Sequence, residues 1–398
     1  MSAIAARPKA VHLKDRPSGA MTSEVLRQME LLNEEVEHLN IWLRTRANAA
    51  AQAPWHLTES TVPPLAAAGA LDLPSRAVPY LWQWKLIEPY LYKVAELCPL
   101  EETDRQQLLL TNPGFKGALK IANSIRVAIS IYRPGDLAPT HMHTPNASRT
   151  ILSDKGGYSE VEGEKCPAAR GDLILTPNGT WHGHGNDDDT PVIWMDVLDW
   201  PLLEMLDLIW IRQDSANWKM GGRPVAGFST LAYGSGGLVP RFQPFPRGTG
   251  KNVSPQFHYR GADVAKTLHD LGGASGDPYE GIHIEFANPL SGGPVFPTLS
   301  YRAQLLKPGE STQAFRHTAS NVYTVMEGEG VTEVNGMRLE WRRNDVFVVP
   351  NNMWRRHINS SASRDAILYC VTDQPLIEKI GQYCAQGRGP DGKAIELA

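Results

Sequence analysis

The pattern of hydrophobic and polar positions near the start of the chain predicts an amphipathic helix. It begins at Thr22 or Ser23, either of which can cap a helix. Apolar residues then recur at alternating steps of four and three, as one helix face requires: Val25, Met29, Leu32, Val36, Leu39 and Leu43. The helix packs either on its own domain or on another subunit, and the pattern leaves both open.

An aromatic cluster follows at 79–90, ahead of a short stretch with helical spacing. Such a cluster, with Trp82 and Trp84 in it, is more typical of core or interface packing than of a ligand cage. We therefore expect residues 21–100 to form an amino-terminal helical region. Residues 1–20 are expected to form a disordered tail.

Between residues 108 and 198 the pattern changes to short strand-like runs bounded by turn residues, at 127–132, 172–176 and 191–198. The 30 Pro and 35 Gly of the chain agree with many short strands joined by turns. Residues 201 to about 215 return to helical spacing. The Gly- and Pro-rich stretch at 216–255 predicts a linker or lid.

The strand-rich pattern occurs twice along the chain. Gly135 and Gly309 are each followed eight residues later by a His-Thr pair. Further on, 177–186 and 350–359 both run Pro, three residues, Trp, two residues, His, one residue, Asn. The spacing between the two motifs is also nearly the same. His143 and Trp181 are 38 positions apart in the first copy, and His317 and Trp354 are 37 apart in the second. The chain therefore contains an internal repeat.

Size, composition and charge narrow the class of protein. The 398 residues suffice for two domains, and 42% hydrophobic with 21% charged residues is typical of a soluble globular protein. A net charge of -4 does not indicate a nucleic-acid-binding protein, for which a basic patch would be needed. There is no apolar run of membrane-helix length and no signal-peptide core. Four scattered cysteines without a Cys-x-x-Cys pair predict free thiols in the reducing cytoplasm.

Three histidines of the first copy have the spacing of metal ligands. His141 and His143 point to one face of a strand, and His182 returns 39 residues after His143 behind a Pro and two Gly. Three neutral imidazoles converging from two strands make a metal site with positions left for other ligands. In the second copy Phe315 and Arg355 replace two of the three. We therefore expect the second copy to be a scaffold without metal.

Both copies resemble the cupin β-barrel. Residues 171–186 fit the cupin pattern Gly-x5-Pro-x-Gly-x2-His-x3-Asn, and 135–143 fit Gly-x5-His-x-His. The Glu that many cupins place shortly afterwards is missing, as it is in the bicupin gentisate 1,2-dioxygenase family. Further blocks at 112–117, 139–149 and 316–320 are also similar to that family, and the resemblance extends from about residue 25 to about 375.

The resemblance implies an all-β core of two cupin barrels, each a double-stranded β-helix or jelly roll, with additional amino-terminal and inter-barrel helices. We expect a metal-binding barrel at 101–200 and a helical, Gly-rich connection at 201–260. A second barrel without metal would occupy 261–375, and a carboxy-terminal tail 376–398.

The resemblance also implies the reaction. Members cleave an aromatic ring between a carboxylate-bearing and a hydroxyl-bearing carbon, and both atoms of O2 enter the product. A substrate with a phenol hydroxyl ortho to a carboxylate can chelate the metal through both oxygens. Imidazoles accept several metals, and Fe(II) is favoured because it can pass electron density to oxygen, whereas zinc has no redox chemistry.

Further site residues follow from the resemblance and from residue type. Arg149 matches the arginine with which family members grip a carboxylate, and Arg105 stands where they have a second substrate-facing arginine. His184 shares the strand face of His182 and could take the phenol proton. Asp196 lies on an apolar strand and needs a partner, for which His184 or a ligand imidazole is expected. An unrelated buried ion pair is the alternative.

The chain departs from the family at several positions. Met142 lies between the two ligands where arginine is common, and Arg126 and Ser130 occupy places where members often have an aromatic residue and a glutamine. Period two puts Arg126, Ser130 and Tyr132 on one strand face. If that face lines the cavity, Arg126 could meet a polar or anionic group at the 5 position of the ring.

Gentisate is the default substrate by family frequency. A substituted salicylate such as 5-nitrosalicylate is the runner-up because of Arg126 and Met142, and 1-hydroxy-2-naphthoate is third. A non-oxidative metal-dependent cupin isomerase is the alternative of a different class; it would consume no oxygen, and such cupins usually keep the missing Glu. A storage bicupin would not be expected to keep a full ligand set. The family habit implies a homotetramer.

Overall fold

The computed structural model describes residues 22–43, 70–99, 105–213, 227–236, 238, 240 and 252–398. The expected tail at 1–20 and most of the expected linker or lid at 216–255 lie outside these residues. No helix within them has the length and apolar character needed to cross a membrane.

Six α-helices lie in the described part of the chain: α1 (Ser23–Glu37), α2 (Trp84–Leu97), α3 (Trp200–Met205), α4 (Phe228–Tyr233), α5 (Gly261–Asp270) and α6 (Gln374–Lys379). The expected first helix is α1, and the side chain of Thr22 caps it by accepting from the backbone N–H of Val25 at 3.2 Å. Its buried face joins the core of its own chain, as the first of the two alternatives had it.

Most of the described chain is β-structure. Twelve strands lie in the first half: β1 (Ile41–Leu43), β2 (Tyr80–Trp82), β3 (Gln107–Leu110), β4 (Arg126–Tyr132), β5 (Leu137–His143), β6 (Ala147–Ile151), β7 (Lys155–Val161), β8 (Glu164–Ala169), β9 (Leu173–Thr176), β10 (His182–Gly185), β11 (Val192–Leu198) and β12 (Ile211–Arg212).

Twelve more lie in the second half: β13 (His258–Tyr259), β14 (Ile282–Glu285), β15 (Ser300–Leu306), β16 (Phe315–His317), β17 (Asn321–Glu327), β18 (Glu329–Val334), β19 (Met337–Arg342), β20 (Val346–Val349), β21 (Arg355–Asn359), β22 (Ala366–Thr372), β23 (Ala385–Arg388) and β24 (Ala394–Glu396).

The strands form four antiparallel sheets, two in each half. The first half has a seven-stranded sheet of order β1-β3-β4-β11-β6-β9-β13 and a five-stranded sheet of order β12-β5-β10-β7-β8. The second half has two six-stranded sheets, β14-β15-β22-β17-β20-β2 and β19-β18-β21-β16-β23-β24. The internal repeat is visible in the pairing, because β11 lies between β4 and β6 as β22 lies between β15 and β17.

Several segments contribute more strand than the sequence pattern suggested. The amino-terminal region supplies β1 to the first half and β2 to the second, where β2 pairs with β20. The expected connection supplies β13, which pairs with β9. The expected carboxy-terminal tail is wrong for residues 385–396, because β23 pairs with β16 and β24 extends that sheet.

The helix expected over 201–215 is also shorter than its spacing suggested. It ends at Met205, and Asp207 takes a positive φ of 56° that a continuing helix does not allow. The chain then returns as β12 beside β5, where Ile211 lies opposite His143. This segment therefore borders the strand that carries two of the candidate metal ligands.

One hydrophobic core joins both halves. In β4, Val127, Ile129 and Ile131 face this shared core, together with Val197 of β11 and Val322 of β17. The alternate residues of β4 face the interior of the first barrel, because neighbouring residues of a strand point to opposite sides. Polar residues on that inner face therefore need a partner or a ligand.

Replacing Ile129 with Ala should destabilise the protein by about 2–5 kcal/mol, since the side chain is fully buried where the two barrels meet. Urea unfolding measures this change. Leu26→Ala, at a side chain that is 48% exposed on α1, is the control and should change the free energy of unfolding by no more than about 0.5 kcal/mol. Similar losses for the two variants would contradict the shared core.

Candidate metal and substrate site

The three predicted ligand histidines meet inside the first barrel. His141 and His143 lie on β5, and His182 begins β10 directly opposite His141. The three side chains offer nitrogens that all lie within 4.8 Å of one another. All three residues are buried, and the ring centres of His141 and His182 are 4.4 Å apart. The antiparallel pairing of β5 with β10 thus brings the two sequence motifs to one point.

Backbone carbonyls fix how these imidazoles are oriented. Each Nδ1 lies 2.9 Å from a carbonyl oxygen two residues away in the chain. A carbonyl only accepts, so in a neutral ring Nδ1 carries the proton and Nε2 keeps its lone pair. Burial lowers the pKa of His143 and His182 well below the ordinary value, so both are neutral. The carbonyls belong to Pro139, Pro145 and Thr180, for His141, His143 and His182 in turn.

Two of the three inward nitrogens have no hydrogen-bond partner among the described residues, and the third contacts an arginine. Nε2 of His143 and of His182 is buried and makes no hydrogen bond within the described residues. Nε2 of His141 contacts the Arg105 guanidinium, which can only donate. A buried acceptor without a partner is costly. The residues therefore fit a divalent ion that accepts three imidazole ligands.

The second barrel orients its remaining ligand-position histidine the other way. Phe315 and Arg355 lie opposite each other on β16 and β21, as His141 and His182 do in the first barrel. The backbone N–H of Ala319 donates to Nδ1 of His317 at 3.1 Å. Nε2 of His317 lies 3.0 Å from Nδ2 of Asn321, so this nitrogen, unlike Nε2 of His143 and of His182, has a partner inside its barrel. Among the described residues, no second group of His, Cys, Asp or Glu side chains is placed to hold a metal here.

Asp196 is paired with Arg149. The two residues face each other on β11 and β6, and Asp196 Oδ1 lies 3.1 Å from Arg149 Nε. Ser130 Oγ donates to Asp196 Oδ2 at 2.5 Å. The expectation that Asp196 orients His184 or a ligand imidazole is wrong. The buried ion pair, which was the alternative, is what the structure has.

Arg149 is held in place by this pair and by a second contact. Its Nη1 donates to Thr176 Oγ1 at 2.6 Å. Burial lowers the pKa of Arg149 to about 10, against the opposing effect of Asp196, so the guanidinium remains charged at neutral pH. The side chain is 1% exposed. Arg149 is thus a fixed cation beside the histidines.

His184 lies on the same face of β10 as His182. Its Nδ1 is 2.9 Å from Ser159 Oγ, and its Nε2 is buried without a hydrogen bond within the described residues. Burial, followed by the charges of Arg149 and Arg105, lowers the pKa of His184 well below its ordinary value. The ring is therefore neutral and can offer either a lone pair or a proton at Nε2.

Ser130 and Arg126 share the inner face of β4, as the alternation of side chains along a strand predicts. They lie at different points along the strand. Ser130 reaches the centre through its bond to Asp196. Arg126 is at the end of the strand, where its Nε donates to the carbonyl of Leu119 at 3.0 Å and its guanidinium lies 4.5 Å from the Trp200 ring centre. These contacts hold Arg126 in a buried position at the first residue of β4.

Three polar residues at the site were missed in the sequence. Ser159 bonds to His184, and Thr176 to Arg149. Gln107 lies directly opposite Ser130 on β3 and so shares its inward face. They are single polar residues in short strands, and only the register between strands shows what they face. No signal within the chain pointed to them.

Comparison with known proteins agrees with this geometry. Residues 128–198 and 303–372 each match the Cupin domain family. A 5-aminosalicylate 1,2-dioxygenase of Comamonas sp is 36% identical, over 79% of this chain and 83% of that protein. Gentisate 1,2 dioxygenase 1 of Aquipseudomonas alcaligenes is 33% identical, over 77% of this chain and 86% of that protein. The chain belongs to the gentisate 1,2-dioxygenase family.

Solved structures agree with this family membership. Salicylate 1,2-dioxygenase from Pseudoaminobacter salicylatoxidans, determined as adducts with gentisate, superposes with a TM-score of 0.72 at 25% identity. The superposition covers 97% of this chain and 99% of that one. The two cupin domains and the ring-cleaving dioxygenase class, both expected from the motifs, are thereby confirmed for this bicupin.

The two barrels supply matched variants for the metal site. His143→Ala should reduce the bound divalent metal from about one ion per chain to nearly none, because it removes one of three ligands. Its counterpart in the repeat, His317→Ala, should leave the metal content unchanged. Elemental analysis after loading with Fe(II) and desalting measures both. Loss of metal from the His317 variant would contradict the assignment to the first barrel.

Proposed function

We propose that this dioxygenase holds Fe(II) on His141, His143 and His182 and cleaves gentisate between its carboxylate-bearing and hydroxyl-bearing carbons. The observation that carries the proposal is the set of three inward imidazole nitrogens beside Arg105 and Arg149. Iron when bound supplies the redox chemistry with O2 that ring cleavage needs and that zinc lacks. Three protein ligands leave coordination positions for the substrate and oxygen.

The charges around the site favour an anionic substrate. Asp196 neutralises Arg149, whereas Arg105 lies against His141 and adds a second positive charge. With His143, His182 and His184 neutral, the charges of Arg105, Arg149 and Asp196 sum to about +1. We assign the substrate carboxylate to Arg105 and Arg149, whose planar guanidinium groups bind carboxylates well.

His184 is the residue suited to take the phenol proton. With its Nδ1–H directed at Ser159 Oγ, its Nε2 lone pair is available inside the barrel. Ser130 and Asp196 act at one remove: they hold Arg149, and their effect on the substrate passes through that guanidinium.

A 5-substituted salicylate is the second candidate substrate. The relative from Comamonas sp is named for a salicylate with a 5-amino group. In this chain Arg126 lies at the first residue of β4, on the same strand face as Ser130. A cationic residue there would favour an anionic or polar ring substituent such as a nitro group.

Family habit and composition further support a cytoplasmic homotetramer. Light scattering on the purified protein should then give four times the chain mass of 43.9 kDa. A monomer or dimer would end that part of the proposal.

Oxygen uptake tests the reaction directly. The protein is purified without oxygen, loaded with Fe(II) and mixed in turn with gentisate, salicylate, 5-nitrosalicylate, 5-aminosalicylate and 1-hydroxy-2-naphthoate. We expect one O2 consumed per ring cleaved, with the highest kcat/KM for gentisate. The enzyme loaded with Zn(II) is the control and should consume none. No uptake with any of the five compounds would refute the proposal.

His184→Gln separates proton transfer from metal binding. We expect this variant to keep its iron but to lose about 100-fold or more in kcat, as is usual when a proton-transfer group is removed. Metal content and oxygen uptake are measured on the same sample. Unchanged turnover would rule out a role for His184 in the proton step.

Arg126→Leu tests whether the positive charge of Arg126 favours substrates with a polar group at the 5 position. We expect the ratio of kcat/KM values for 5-nitrosalicylate and unsubstituted salicylate to fall, because the variant removes a positive charge near the substituent. Lys120→Leu, which removes a charge that the structure places over the Phe115 ring, is the control and should leave the ratio unchanged. An unchanged ratio in the Arg126 variant would end this role.

A further inference from the structure

The interior of the second barrel contains buried hydrogen-bond donors with no acceptor. The residues concerned are at most 3% exposed, and their unpartnered atoms make no hydrogen bond within the described residues. The atoms are Gln304 Nε2, Tyr323 Oη, Arg355 Nε and His357 Nε2. Such groups are rare in protein interiors because each costs free energy when it is removed from water.

The donors surround the place that corresponds to the metal centre of the first barrel. Arg355 takes the position of His182, and Tyr323 lies opposite Cys370 as Arg149 lies opposite Asp196. The rings of Tyr323 and His357 are 4.8 Å apart, and the Arg355 guanidinium lies 4.8 Å from the Phe315 ring centre. The second barrel has therefore replaced inward acceptors with inward donors.

The contacts of His357 indicate which of its ring nitrogens carries the proton. Trp341 Nε1 donates to Thr332 Oγ1 at 2.9 Å, and Thr332 Oγ1 lies 2.8 Å from Nδ1 of His357. Within the described part of the chain, that Nδ1 is the acceptor that lies within reach of the Thr332 hydroxyl. His357 is neutral, because burial lowers its pKa well below the ordinary value, so its proton lies on Nε2 and points inward.

Tyr323 and Arg355 cannot satisfy each other. Tyr323 Oη lies beside the Arg355 guanidinium, which has only donors to offer, and beside the Cys370 thiol, whose sulfur is only a weak acceptor for the phenol proton. Glu280 pairs with Nη2 of Arg355. Arg302 adds a second positive charge close to His317 and Cys370.

We propose that the centre of the second barrel binds a small monoanion, of the class of formate, bicarbonate or a halide. An anion offers acceptors to several donors at once, among them the Arg355 guanidinium. A single water accepts only two hydrogen bonds and adds two donors of its own. The site is separate from the metal centre, and its occupancy does not depend on the proposed dioxygenase reaction.

A crystal of the full-length protein provides the first test. Crystals grown without halide are soaked in sodium bromide, and data are collected at the bromine absorption edge. We expect an anomalous peak within hydrogen-bonding distance of Arg355 Nε and Tyr323 Oη. Electron density for water alone, with no anomalous peak at the centre, would overturn the proposal.

A thermal-shift titration tests it in solution. Sodium formate or sodium bromide is added at constant ionic strength, with the large anion gluconate as the balancing ion. The wild-type melting temperature should rise and saturate, as binding to the folded state requires. Tyr323→Phe, which removes only one hydroxyl, should weaken the apparent affinity about 10-fold, since it deletes a hydrogen bond to a charged ligand.

Tyr369→Phe is the matched control. It also removes a buried hydroxyl from the second barrel, but that hydroxyl already donates to the carbonyl of Gly171 at 2.9 Å. Its anion response should equal that of the wild type even if its melting temperature is lower. Oxygen uptake by the Tyr323 variant should be unchanged. An equal response in all three proteins, or none in any, would refute the proposal.

Discussion

The site of this protein depends on one kind of hydrogen bond, from imidazole Nδ1–H to a backbone carbonyl two residues away. Three such bonds, to Pro139, Pro145 and Thr180, turn three Nε2 lone pairs toward one point. Pro139 lies within β5, and Pro145 and Thr180 lie in the connections that lead into β6 and β10. Ligand orientation is therefore set before any metal arrives, which is how outer contacts usually support a metal site.

The repeat shows how the same scaffold can support the opposite chemistry. At the position of Pro145, whose carbonyl accepts from His143, the second copy has Ala319, whose N–H donates to His317. Proline has no N–H to offer, so only the first copy excludes this alternative. The first barrel thus directs imidazole lone pairs inward, whereas the second places the Arg355 guanidinium at the position of His182. A metal is suited to the first interior and an anion to the second.

Much of this could be predicted from the sequence because the relevant signals are local. The spacing of His141 and His143 gives a shared strand face, and the repeat gives two barrels. The partner of Asp196 could not be predicted, because it depends on the register of β11 against β6. Residues 385–396 resembled a tail, since only their pairing with β16 makes them strands. The helix from Trp200 stopped early at a backbone conformation that apolar periodicity does not encode.

We propose that three Nε2 atoms in the first barrel, and none in the second, hold iron. A crystal of the Fe(II)-loaded protein, measured on both sides of the iron absorption edge, tests it most directly. We predict one anomalous peak per chain, bonded to Nε2 of His141, His143 and His182. A peak in the second barrel, or iron bound through Nδ1 or a carboxylate of the first, would contradict it.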